Sequence, residues 1–145
     1  MTYLIDTNVA SEPTSKSPDQ GVMSWIAART PDELFLSAVT VAEVRYGIEA
    51  APEGPRRRAL ERWFSDSIGG RPDLVLPIGL EVADAWGRLR RRAERERRTI
   101  PTLDAFIAAT AEVYGLVLVT RNVKDFEVWG GPVFNPWTGL TAGGR

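Results

Sequence analysis

Short, wholly apolar runs alternate along this chain with longer stretches whose apolar residues recur at three- and four-residue spacing. Tyr3-Leu4-Ile5 is stopped by Asp6, Thr7 and Asn8, the pattern of a strand running into a turn. A helix with Val22, Trp25 and Ile26 on its buried face follows, then a second strand at Leu34-Phe35-Leu36 and a helix over residues 42–49. Pro52, Gly54 and Pro55 break that helix, and Leu60, Trp63, Phe64 and Ile68 trace the stripe of the next one. Leu74-Val75-Leu76 is a third strand, cut short by Pro77. A long helix then turns Val82, Ala83, Trp86 and Leu89 inward and its arginines outward. Pro101 and Thr102 end it and open another, striped by Leu103, Phe106, Ile107, Val113 and Tyr114 and capped by Gly115. Residues 116–119 are apolar throughout, as in strands buried on both faces, and Val133 and Phe134 supply a last short strand. This alternation predicts an α/β fold, a mostly parallel sheet of four or five strands with helices on both faces.

In such folds ligands bind beyond the carboxyl ends of the strands. Asp6 follows the first strand, Thr120 follows the strand at 116–119, and Glu43 lies just past the second strand in the first turn of its helix. Each acid also has a purely structural role open to it. Asp6 suits a turn or a cap. Thr40-Val41-Ala42-Glu43 has the spacing of a capping box. Asp104, two residues after a Thr102 cap, gains roughly 0.3–1 kcal/mol from a helix dipole. Taken together, however, acids gathered at the mouth of one sheet repel one another, and a divalent cation reverses that repulsion. Thr120, Asn122 and Asp125 lie where they could close such a site.

Composition narrows the chemistry. The chain has no cysteine and no histidine, which removes thiol nucleophiles, disulfides, serine–histidine triads and the usual ligands of zinc. Clustered carboxylates without nitrogen or sulfur ligands suit hard cations such as Mg²⁺ or Mn²⁺. At 145 residues, 43% apolar and 26% charged, the chain has the length and balance of one globular domain. No apolar run reaches the roughly 20 residues of a membrane span, and the opening residues lack a secretory pattern, so a cytoplasmic protein without membrane association is expected.

The order of these segments resembles the PIN-domain family, and within it the VapC/FitB-like toxins of toxin–antitoxin pairs. The likeness is carried by Leu4-Ile5-Asp6-Thr7-Asn8-Val9, by residues 37–47 around Glu43, by residues 100–111 around Asp104, and by Leu118-Val119-Thr120-Arg121-Asn122 with Asp125-Phe126. Asn135-Pro136-Trp137 is similar to the closing motif. The resemblance spans nearly the whole chain and implies one three-layer α/β/α PIN domain over residues 1–145. It implies an endoribonuclease dependent on Mg²⁺ or Mn²⁺, with Asp6, Glu43 and Asp104 as metal-binding, catalytic acids and Thr7, Asn8, Thr120 and Asn122 in support. Many relatives place an aspartate where this chain has Asn122, which leaves Asn122 or Asp125 to complete the catalytic set. It further implies a homodimer, a cognate antitoxin, an RNA substrate, and contact with operator DNA only through the antitoxin.

Two other readings compete. A phosphotransfer domain with an aspartyl nucleophile needs a second acid beside it and a placed lysine, whereas Asp6 precedes Thr7 and Asn8 and the only lysines are Lys16 and Lys124. A catalytically weak fold that only binds RNA or a partner is the other. Net charge is −1, yet seven arginines crowd residues 88–98 beside only Glu94 and Glu96. They suit either an RNA path or a solvated face with a Glu94–Arg98 pair at i,i+4. Trp25, Trp63 and Trp86 follow helical stripes and are assigned to the core or an interface.

Overall fold

The computed structural model describes residues 1–144. Five strands run parallel: β1 (Tyr3–Ile5), β2 (Leu34–Ser37), β3 (Val75–Leu76), β4 (Val117–Val119) and β5 (Val133–Asn135). A sixth, β6 (Leu140–Ala142), pairs antiparallel with β5, giving the order β3-β2-β1-β4-β5-β6. The helices are α1 (Thr7–Ala10), α2 (Gln20–Ala27), α3 (Ala38–Ala50), α4 (Pro55–Phe64), α5 (Leu80–Arg95) and α6 (Thr102–Tyr114).

Successive strand side chains point to opposite faces, and the apolar residues divide accordingly. Leu4 and Leu118 pack among Leu89, Ala93, Ile107, Ala108 and Ala111 of α5 and α6. Ile5, Leu36 and Val75 meet Val44, Ile48, Leu60 and Trp63 of α3 and α4. Tyr3, Val119 and Phe134 meet Val9, Val22, Trp25 and Ile26 of α1 and α2. Helices therefore cover both faces, the three-layer arrangement expected. Trp25, Trp63 and Trp86 are all partly buried against these clusters.

Several boundaries differ from the sequence reading. The sheet has six strands because Leu140–Ala142, exposed at all three positions, adds to the edge. Leu74 lies in a 3-10 turn and β3 keeps only two residues. The helix after β2 starts at Ala38, not near residue 42: Ser37 ends the strand and caps the helix, its hydroxyl accepting from Val39 N at 3.1 Å. In α6, Leu103 and Tyr114 are exposed at 46% and 44%, and the buried surface is made by Ala105, Ile107, Ala108, Ala109, Thr110 and Ala111. Small side chains let α6 pack closely in the cluster it shares with α5 and the sheet. Gly115 ends α6 in the left-handed region at φ 66°, where glycine carries no Cβ penalty. The arginines of α5 pair differently from the expected Glu94–Arg98 contact. Arg91 pairs with Glu94 at 2.9 Å, and Arg98 lies 3.9 Å from Glu96 and 3.7 Å from Glu127.

Candidate active site

At the carboxyl ends of the parallel strands, β1 delivers Asp6. The backbone turns there directly into α1, and Asp6 becomes its N-cap, with Oδ1 accepting from Thr7 N at 2.8 Å. The residue is only 5% exposed. Its Oδ2 accepts the Thr120 hydroxyl at 2.8 Å and Asn8 Nδ2 at 3.3 Å. Thr120, fully buried just past β4, also accepts from Asn122 N at 3.0 Å and Asn8 Nδ2 at 3.3 Å. Asn8 in turn accepts Arg121 N through Oδ1 at 3.2 Å. The ends of β1 and β4 are thus tied together around one carboxylate, in a fixed orientation.

Glu43 does not occupy a capping box. With α3 starting at Ala38 behind the Ser37 cap, Thr40 is a fully buried first-turn residue and Glu43 stands in the second turn. Its carboxylate instead accepts the Thr7 hydroxyl at 2.7 Å, and Thr7 Oγ1 lies 3.3 Å from Thr40 Oγ1. Asp104 sits in the first turn of α6, whose N-cap is Pro101; no side chain caps that helix end. The Thr102 hydroxyl accepts Arg90 Nη1 at 2.9 Å. Asp125 is exposed on the 3-10 turn Val123–Phe126 and close enough for its charge to act on Asp104. Asn122, also exposed, contributes backbone contacts to Thr120 and Asp125; its side chain makes no hydrogen bond among the described residues.

Charge links these acids pairwise: Glu43 acts on Asp6, and Asp6, Asp125 and Glu43 act on Asp104. Burial raises the Asp6 carboxyl above its ordinary value, opposed by the hydrogen bonds from Thr120 and Thr7 and reinforced by the Glu43 charge. Burial, and then the charges of Asp6, Asp125 and Glu43, push Asp104 up to about 6. None of the ion pairs among the described residues gives Asp6, Glu43, Asp104 or Asp125 a basic partner. Like charges in a part-buried site with no compensating cation destabilise the metal-free protein.

That donor set fits a hard divalent cation: all oxygen, mutually repelling, and oriented by fixed hydroxyls and amides. Among the described residues no three acids are already drawn together as one ligand group. Mg²⁺ is usually held by one or two carboxylates and keeps several waters, so Asp6 with one neighbouring acid would be a sufficient protein donor set. Of the site residues read from the sequence, Thr7, Asn8 and Thr120 hydrogen-bond Asp6, and Thr7 also bonds Glu43. Asp104 and Asp125 make no side-chain hydrogen bond among the described residues and act through charge, and Asn122 bonds Thr120 through its backbone. Thr40 was missed. Its signal was present in the i,i+3 spacing to Glu43, which reads equally as a capping box until Thr7 is placed opposite.

Residues 3–128 match the family model described as PIN domain. The chain is 38% identical over 138 residues to VapC ribonuclease Y4jK of Sinorhizobium fredii, covering 92% of this chain and 96% of that protein. It is 35% identical to Toxin FitB of Neisseria gonorrhoeae, covering 92% and 97%. Among solved structures, it matches a chain of FitAB bound to an IR36 DNA fragment at TM-score 0.89 and 33% identity, over 94% of this chain and 96% of that one. Fold, strand-end acids and near end-to-end relatives agree: the chain belongs to the PIN-domain family.

Proposed function

We propose that this chain is a divalent-metal-dependent endoribonuclease and the toxin of a toxin–antitoxin pair, acting as one PIN unit over residues 1–145. The observation that carries the reading is that Asp6, Glu43, Asp104 and Asp125, from four separate segments, act on one another by charge and have no basic partner in an ion pair among the described residues. Its support from relatives is a ribonuclease name on one and a toxin name on another, each aligned nearly end to end. Asp6, Asp104 and Glu43 would hold Mg²⁺ or Mn²⁺. Such an ion acidifies water and offsets the charge that builds on a phosphodiester as its P–O bond breaks.

The chain's own residues do the positioning. Thr120, Asn8 and Thr7 N fix both oxygens of Asp6, and the Thr7 hydroxyl fixes one oxygen of Glu43. Asp104, whose side chain makes no hydrogen bond among the described residues, is available to a ligand. Asp125 borders Asp104 and is the better candidate than Asn122 for the fourth acid. The expected partners are RNA as substrate, a cognate antitoxin, a second copy of the chain, and operator DNA reached through the antitoxin. FitAB, the matched neighbour, is solved bound to an IR36 DNA fragment. Exposed Tyr46, Leu80 and Leu103 supply apolar surface for protein contacts. No helix among the described residues is long and apolar enough to cross a membrane, and a cytoplasmic site of action fits an RNA substrate.

The direct test is RNA cleavage by protein freed of antitoxin. Activity should require Mg²⁺ or Mn²⁺, stop with EDTA, and fall at least a hundredfold in Asp6→Asn and Asp104→Asn (about 2.7 kcal/mol of transition-state stabilisation). A second reading, a fold that binds RNA without cutting it, draws on Asn122 in the fourth position. It predicts RNA binding with no cation-dependent cleavage.

A further inference from the structure

The acids at the strand ends repel a polyanion, so affinity for RNA has to come from elsewhere on the molecule. Residues 80–98 carry seven arginines against four acids, a local balance of +3 in a chain of net charge −1. Arg88, Arg91, Arg92 and Arg95 are spaced i, i+3, i+4 and i+7 and so share one face of α5. That face lines an open groove of about 770 Å³, closed on its other side by Ala109 and Glu112 of α6 and by Trp129. None of Asp6, Glu43, Asp104 or Asp125 lines it.

The groove has a rigid wall and movable donors. Arg92 donates to the carbonyls of Val128 and Trp129 at 2.8 and 2.9 Å, which fixes its guanidinium against the wall. Trp129 is buried and donates Nε1 to Glu112 at 3.2 Å, so the indole is a wall and not a stacking platform. Arg88 and Arg91 pair with Asp84 and Glu94, but with side chains 82% and 67% exposed these pairs are worth only about 0–1 kcal/mol and yield readily to a phosphate. Arg95 has no carboxylate partner among the described residues. On α6 the groove's Ala109 and Glu112 lie five and eight residues beyond Asp104, roughly 8–12 Å along the helix.

We propose that the α5 groove is a sequence-independent anchor for the phosphodiester backbone of the single-stranded RNA whose neighbouring segment enters the acidic site. This rests on the ribonuclease reading. Contacts of this kind position a strand and carry no base information.

The test is equilibrium binding of a labelled single-stranded RNA in EDTA, where cleavage is blocked, measured across about 50–200 mM salt. Replacing Arg91 and Arg95 together by alanine should weaken binding and lower the log–log salt slope by about 1.4, two single-strand phosphates at about 0.7 each. The lysine pair at the same positions, which keeps both charges, should restore the slope. Arg62→Ala, an exposed arginine on α4, should leave it unchanged. A wild-type slope in the alanine pair, or a lysine pair as weak as the alanine pair, overturns the groove while the ribonuclease reading stands. If the wild type neither binds nor cleaves RNA, both are overturned.

Discussion

Asp104 carries a carboxyl raised to about 6 from an ordinary 3.8, and the sign of its effect follows from that direction. A carboxyl raised in the folded state contributes stability fully below its unfolded value, and the contribution is lost as pH rises through the folded value. The metal-free protein should therefore lose stability on this account between about pH 4 and 6. Asp104→Asn removes the charge and keeps the shape, so above pH 7 it should stabilise the metal-free protein by about 1 kcal/mol, discounted for partial solvent screening. At pH 4 it should have almost no effect. Denaturant unfolding in EDTA at both pH values measures this, and destabilisation at pH 7 would mean that the acid serves the helix. At Glu43 the decisive contact is the 2.7 Å hydrogen bond from the Thr7 hydroxyl. Thr7→Val should lower kcat about tenfold with little change in KM, while Thr7→Ser keeps most of the rate.

Among the elements, the end of α5 shows a conformation that its residue does not favour. Arg97 stands in the left-handed region at φ 55°, just past the helix, while Arg98 N closes on Ala93 O at 2.8 Å. A side chain there costs about 1–2 kcal/mol that glycine avoids. Arg97→Gly should raise stability by roughly 0.5–1 kcal/mol, read as a higher denaturant midpoint at unchanged slope. The start of α3 teaches a different lesson. Ser37 and Thr40 both precede an acid or amide that a hydroxyl can serve, and the three-residue spacing to Glu43 favours Thr40 on sequence alone. The structure selects Ser37 because β2 runs straight into α3 with no loop between them. Ser37→Ala should cost about 1 kcal/mol and loosen the helix that presents Glu43. The strands at residues 3–5, 34–36 and 116–119, and the burial of Leu4, Leu118 and Val119, were legible because short continuous apolar runs leave a direct trace, whereas the strand order was not. Nor was β6: its residues bury nothing, and only pairing with β5 makes them a strand.

For the molecule as a whole, the positions of Asp6 at the end of β1 and of Glu43 in the helix just past β2 were readable, because the apolar runs stop there. Their mutual orientation was not. It depends on Thr7 reaching across to α3 and Thr120 reaching across to β1, contacts separated by 36 and 114 residues. The central claim is that these acids form one divalent-cation site whose repulsion the ion relieves. The most direct measurement is the melting temperature of the antitoxin-free protein with and without Mn²⁺ or Mg²⁺, beside that of Asp6→Asn. The wild type should rise by roughly 5–10 °C at a hundredfold excess over the dissociation constant, and the variant should lose most of that rise. No rise in the wild type, or an equal rise in Asp6→Asn, would contradict it.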